Sequence, residues 1–461
     1  MTHYESFLQA KLVSAPAVGF DVESDNLHPC LKPFQNAAVR WMLRRGRAAA
    51  FEGTGLGKTF QQLEFGRQVH RRTNGDVLIL APLAVSHQTV QQGDRWGIPV
   101  NQCRKQADVK AGLNISNYEI LDHFDSSKFS CVVIDESGIL KSFMGATKRA
   151  ICDAFKDTPY RLAATATPAP NDHLELGNHA EFLGVMDSNE MISRWFINDT
   201  MASGNYRLKG HAAQDFWRWV ATWAICITKP SDLGFSDDGY DLPPLNQHLH
   251  IVQVDSITGA NTGELFRNDR LTATTLHKEM RVTCNDRAAK LASIVNAEPD
   301  EPWLIWCNTN YETESVRKLI PNAVEVRGSD KDSNKAANLI GFADGTVKIL
   351  VTKPRIAGFG MNYQHCARVA FVGLSYSFEQ TYQAVRRCWR FGQTRPVECH
   401  FICANTEGDI LKVQREKNAE HEKMQAEMAK AMKAATLSEM GMRRTLSNSA
   451  GASNVRVPGW L

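Results

Sequence analysis

Residues 51–60 read FEGTGLGKTF, led in by the small apolar run AAAF (48–51) and followed by a helix-compatible stretch. Gly53, Thr54, Gly55 and Gly57 form a loop that can turn backbone N–H groups around an anion. Lys58 can reach terminal phosphates, and the Thr59 hydroxyl can ligate Mg²⁺. A strand, such a loop and then a helix make a phosphate-binding unit of an α/β fold. The full G-x-x-x-x-G-K-[ST] pattern needs glycine at 52, where this chain has Glu52.

A second motif about 80 residues on gives the first its weight. VVIDES (132–137) ends an apolar run with Asp135 and Glu136, at the carboxyl end of a strand where α/β folds gather ligands. Asp135 is suited to hold Mg²⁺ through water, and Glu136 to polarise an attacking water. A third stretch, QAVRRCWRFGQTRPV (383–397), holds four arginines, a tryptophan and no carboxylate. Either it is a solvated basic helix, or its arginines face a phosphate bound elsewhere in the chain.

The totals fit more than one domain. The chain has 461 residues, 43% hydrophobic and 22% charged, and a net charge of +3, so nucleic-acid binding must come from local patches. The first residues lack the basic and apolar regions of a signal peptide, and no run of 18 apolar residues appears, so no membrane partner is expected. The eleven cysteines are scattered without a C-x-x-C, which argues for reduced thiols rather than a zinc or disulfide framework.

Organisation follows from patterning. DVLILAP (76–82), FSCVVIDES (129–137), PWLIWCNTN (302–310), VKILVTK (347–353), RVAFVGL (368–374) and VECHFICA (397–404) read as buried parallel strands in two blocks. The expected fold is α/β, with two doubly wound parallel-sheet lobes, a helical insertion and a C-terminal helix. The expected boundaries are an N-terminal extension (1–30), lobe 1 (31–170), a helical insertion (171–242) and a connector (243–285). Lobe 2 (286–404), a C-terminal helix (405–440) and a mobile tail (441–461) complete the chain. Phe216, Trp219, Val220, Trp223 and Ile227 fall at helix spacing, more as buried packing than as a base-stacking platform. SDLGFSDDGYDLPPLNQ (231–247) reads as a linker, and Met424, Met428 and Met432 as one face of a helix packing back on a lobe.

The ordered series GTGLGKT, DES, ATATP (164–168) and QAVRRCWRFGQ resembles the superfamily-two helicases and translocases, most closely their Swi/Snf-type branch, over about residues 30–420. The resemblance implies RecA-like lobes and an ATP hydrolase that moves along double-stranded DNA. In it Gln35, within LKPFQNAAVRWML (31–43), reads adenine. Arg387 and Arg390 act as arginine fingers reaching from lobe 2 to the γ-phosphate held by Lys58. Gly358 and Gly360, within AGFGMNYQHC (357–366), and Gln393 shape the same cleft. Backbone contacts to nucleic acid fall at Pro82, Ser116, Asn117, Thr167, Thr309, Ser329 and Thr352. Gly138 stands where a histidine often relays the nucleotide state, and Lys335 where arginine is usual. ATP and Mg²⁺ are the implied cofactors.

The short 245–300 segment points to a compact phage or bacterial form acting in the cytoplasm, with a nuclease or replication factor as a possible partner. Two other readings stand beside the duplex translocase: a strand-separating DNA or RNA helicase, and an ATP-gated module that binds DNA and recruits a partner with little turnover.

Overall fold

The computed structural model describes residues 14–141, 145–169, 172–198, 206–254, 280–357, 362–373, 375 and 377–407, with short pieces between 412 and 433. Two all-parallel sheets organise the chain. The first has strands β1 (Arg47–Glu52), β2 (Asp76–Ala81), β3 (Val100–Gln102), β4 (Leu113–Asn117), β5 (Phe129–Asp135), β6 (Tyr160–Thr165) and β9 (Ala224–Ile227). Their order is β3-β4-β2-β5-β6-β1-β9. The second has β10 (Leu245–Val252), β11 (Trp303–Cys307), β12 (Val324–Glu325), β13 (Ile349–Thr352), β14 (Arg368–Val372) and β15 (Val397–Ala404), ordered β10-β15-β14-β11-β13-β12.

The central strands are apolar on both faces because helices cover both faces. In β1, Ala49 and Phe51 enter one core while Ala48 and Ala50 enter the other. In β14 the same alternation sends Ala370 and Val372 one way, Val369 and Phe371 the other. Helix α1 (Pro33–Arg45) precedes β1, and α2 (Lys58–Thr73) follows its loop. The sheets thus aim the ends of β1 and β5 at one cleft, as doubly wound sheets do.

The insertion is less helical than its composition suggests. After α5 (Glu175–Leu183) and α6 (Ser188–Trp195) comes an antiparallel pair, β7 (Phe196–Asn198) and β8 (Tyr206–Leu208), then α7 (Ala213–Ala221). Helix α7 stops at Ala221, so Ile227 lies on β9, paired with Glu52 of β1, and not on the helical stripe. Lobe 1 therefore extends beyond 170, because β9 belongs to its sheet. Phe216, Trp219, Val220, Trp223 and Ile227 are all buried, which settles their role as packing.

The connector is corrected too. Leu245–Val252 is not linker but the edge strand of the second sheet, in register with Val397–Ala404. Residues before 31 are not free of lobe 1: Val18, Gly19 and Phe20 donate backbone hydrogen bonds to Arg45, Arg44 and Leu43. Met424 and Met428 are buried in the lobe 1 core, and Gln425 Nε2 donates to Ala166 O at 3.3 Å. Met432, Gly358, Gly360 and the tail 441–461 lie outside the described residues.

Candidate nucleotide site between the lobes

The loop after β1 bends through two left-handed glycines, Gly55 at φ 92° and Gly57 at φ 84°. Both are also hemmed in. A Cβ on Gly55 would lie 2.9 Å from Phe391 Cβ of lobe 2, and one on Gly57 2.3 Å from Gln35 Nε2. Gln35 is buried on α1; its amide donates to Leu56 O at 2.8 Å and its oxygen accepts from Lys32 N–H at 2.9 Å. It therefore abuts the loop, with its amide tied to loop backbone. Lys58 Nζ donates to Glu52 O at 2.8 Å and Gly53 O at 3.4 Å. The Thr54 hydroxyl is buried without a hydrogen-bond partner among the described residues, and Thr59 lies half-buried in the first turn of α2.

Two glutamines of α2 complete the lobe 1 side, and motif spacing did not single them out. Gln62 Nε2 donates to Asp135 Oδ1 at 2.7 Å, and Gln61 Nε2 to Glu52 Oε2 at 2.7 Å. The Tyr118 hydroxyl donates to Asp135 O. Glu136 sits at φ 55°, a left-handed conformation that a side-chain-bearing residue keeps only when its surroundings impose it.

Lobe 2 supplies helix α11 (Phe378–Val385) and the turn after it, once α8 (Cys284–Ala297), α9 (Asn310–Leu319) and α10 (Asp332–Ala343) have packed against the second sheet. Gln383 Nε2 donates to Glu136 Oε2 at 3.3 Å, across the cleft. Arg387 is buried beside it, with Nη2 3.5 Å from Gln383 Oε1, and Arg390 donates to Asn362 Oδ1.

The charges are poorly compensated. Burial pushes Glu52 up to about 7 despite Lys58 and Gln61. Burial and the adjacent Asp135 push Glu136 up to about 7, and burial raises Asp135 against Gln62 and Lys58. Burial lowers Lys58 against the pull of Glu136, Glu52 and Asp135, and lowers Arg387. Burial and Arg387 together bring Arg390 to about 10. Three carboxyls and three cations face one another, each nearer neutrality than in water, as at sites built to receive charge.

Other expected residues fare differently. Gln393 does not shape the cleft: its amide donates to Cys366 O at 2.9 Å and its oxygen accepts from Thr394 and Arg395 N–H, which fixes a turn. Arg395 pairs with Glu301 at 2.9 Å, and Arg386 lies 4.1 Å over Trp389. Among the backbone-contact candidates, the Ser116 and Thr352 hydroxyls donate internally, to Cys103 O at 2.9 Å and Val326 O at 3.0 Å. Thr167 is fully buried, so these three side chains are withdrawn from any ligand in this conformation. Pro82 stands at the N-cap position of helix α3 (Leu83–Arg95), and Thr309 at that of α9, its N–H bonded to Glu312. Asn117, half-buried and bonded to Glu119, and the exposed Ser329 remain accessible.

With this geometry in hand, the comparisons are specific. Residues 34–214 match the SNF2-related domain and residues 286–392 the helicase conserved C-terminal domain. The chain is 22% identical over 435 residues to the DNA annealing helicase and endonuclease ZRANB3 of Homo sapiens, covering 85% of this chain and 40% of that protein. It is 28% identical over 415 residues to the SWI/SNF-related matrix-associated actin-dependent regulator of chromatin subfamily A-like protein 1 of Xenopus laevis, covering 82% and 42%. The chain thus spans under half the length of these relatives. It also aligns with the Sulfolobus solfataricus SWI2/SNF2 ATPase core in complex with dsDNA, at 16% identity and TM-score 0.43, over 90% of this chain and 97% of that one. The two domain matches fall on the two lobes that form the cleft, and the chain belongs to the SNF2-related family of helicase-like proteins.

Proposed function

We propose that the chain is a DNA-stimulated ATPase that translocates along double-stranded DNA. The observation that carries this is the cross-lobe contact, in which Gln383 of lobe 2, with Arg387 beside it, donates to Glu136 of lobe 1. A site finished only when two lobes meet couples chemistry to lobe movement.

In this reading Lys58, Arg387 and Arg390 bind the phosphates and offset charge on the transferring phosphoryl group. Glu136 orients water and takes its proton as the oxygen bonds to the γ-phosphorus and the β–γ bridging oxygen leaves with ADP. The buried, unpartnered Thr54 hydroxyl, Thr59 and Asp135 form a hard oxygen set that fits Mg²⁺, with Thr59 and Asp135 its holders. Bound there, Mg²⁺ would neutralise phosphate charge. Gln35 and the loop around Gly57 would take the adenine side.

Duplex DNA as the track is supported by the SNF2-related match and by the DNA and chromatin functions in the relatives' names. The reading also places the motor in the cytoplasm of a bacterial or phage-infected cell, with a nuclease or replication factor as partner. The short stretch 215–285 between the matched domains supports only the compact form in this reading.

The test is steady-state ATP hydrolysis with no nucleic acid, duplex DNA, single-stranded DNA or RNA. Duplex DNA should stimulate most, and Glu136→Gln should cut the rate by about 10²–10⁴-fold. Stimulation by single strands alone would make it a strand-separating helicase, and ATP binding without turnover a gated binding module.

A further inference from the structure

The turn Ser137–Lys141 follows Glu136 directly, and two adjacent side chains of α5 hold its ends. Asn178 Nδ2 donates to Lys141 O at 3.1 Å, and His179 Nε2 lies 3.1 Å from Ser137 Oγ. His179 Nδ1 faces Glu175 O at 3.3 Å; that carbonyl only accepts, so Nδ1 carries the proton and Nε2 accepts from Ser137. Asn178, His179 and Ser137 are all buried, so Lys141 leaves a rigid base.

Across the cleft, Glu379, Gln383 and Arg387 recur every four residues along α11 and the turn after it, which places them on one face. Gln383 reaches Glu136. One turn earlier, Glu379 Oε2 accepts from Lys141 Nζ at 2.5 Å. Its other oxygen, Oε1, lies only 2.7 Å from where a Cβ on residue 138 would stand. Glycine at 138 therefore makes the seat that Glu379 occupies.

We propose that Glu379 is an inter-lobe positioning residue: it docks on Lys141 over Gly138 and so sets α11 in the register that brings Gln383 and Arg387 to Glu136. This rests on the reading that lobe closure drives hydrolysis. The pair is part exposed, 43% for Lys141 and 16% for Glu379, so its role is orientation rather than stability. It also gives Gly138, the departure from the usual histidine, a use of its own.

Two measurements on the full chain decide it. In DNA-stimulated hydrolysis, K141E and E379K should each lower kcat about tenfold while KM for ATP stays within about twofold, and the double swap should recover most of the loss. G138A, whose added methyl meets only the movable end of the Glu379 side chain, should lose less than E379A and add nothing in the E379A background, where the seat is empty. Single variants at the wild-type rate, or a swap without recovery, would overturn the proposal. Amide exchange over 377–386 with a non-hydrolysable ATP analogue reads docking without turnover. Protection should be lost in E379K and regained in the swap; equal protection in all would overturn it. A wild-type chain that hydrolyses no ATP would fail the proposed function, and the exchange result would still decide the docking contact.

Discussion

Two buried charge clusters use the same ingredients to opposite ends. In lobe 2, Arg287 sits fully buried between Glu312 at 2.8 Å and Glu407 at 3.5 Å, with Thr283 Oγ1 and Met280 O taking its other N–H groups. Burial opposes its charge, but the two carboxylates outweigh that and hold Arg287 above its ordinary value. In the cleft, buried Arg387 and half-buried Lys58 also lie among carboxylates, yet both are lowered while Glu52, Asp135 and Glu136 are raised. The first cluster is satisfied within the protein. The second has its charges set apart across two lobes, and a polyanion with its cation would complete it. Buried charge alone does not mark function; the direction in which burial leaves it does.

Substitution tests that contrast directly. Arg387→Ala should lower DNA-stimulated kcat by about 10³-fold or more, with the thermal midpoint unchanged or raised. Arg287→Ala should do the reverse, destabilising the fold by about 3–5 kcal/mol, read by denaturant unfolding, because it strands two buried carboxylates. If Arg287→Ala left stability intact, or Arg387→Ala unfolded the chain, the two clusters would not differ in kind.

Acidity sharpens the comparison next. In its proposed role as base, Glu136 must be ionised to take a proton, so kcat/KM should fall about tenfold per pH unit below its value of about 7. Stability should run the other way. Glu52 and Glu136 are raised from 4.5 to about 7, so the folded chain holds protons there that the unfolded chain has already released. Their contribution is therefore present below pH 4.5 and lost as pH rises through about 7. Thermal midpoints of the wild type and the double Glu→Gln variant should diverge over that window. Parallel curves would show that these carboxyls are unperturbed.

The smallest effect is expected at Phe391, whose ring meets Tyr240 at 4.9 Å, which in turn meets Phe34 beside Gln35 at 5.3 Å. Phe391→Ala should raise KM for ATP by about fivefold, worth about 1 kcal/mol, through loss of one aromatic contact over the loop. A change in kcat alone would move Phe391 to the reacting centre.

Much of this was legible in the sequence where local pattern matches environment. Strands β2, β5, β11, β13, β14 and β15 are apolar runs buried on both faces, and GKT, DES and R-x-x-R carry their spacing openly. Strand β9 hid because AICI continues the apolar period of α7, and four residues cannot separate a period of 2 from one of 3.6. Strand β10 hid because an edge strand with histidines at 248 and 250 has the polarity of a linker. Glu379 and Lys141 meet across 238 residues, and Gln62 reaches Asp135 across 73; nothing local records such contacts.

The way the chain passes between its lobes has a kinematic consequence. Tyr240 still packs on lobe 1 and Leu245 already on lobe 2, so the first crossing is Asp241–Leu242–Pro243–Pro244, a short stretch stiffened by two prolines. Trp389 clasps it by donating to Pro243 O at 2.7 Å. The chain crosses back between Glu407 in lobe 2 and Met424 in the lobe 1 core. A first crossing so short and stiff limits how far the two lobes can part at that edge.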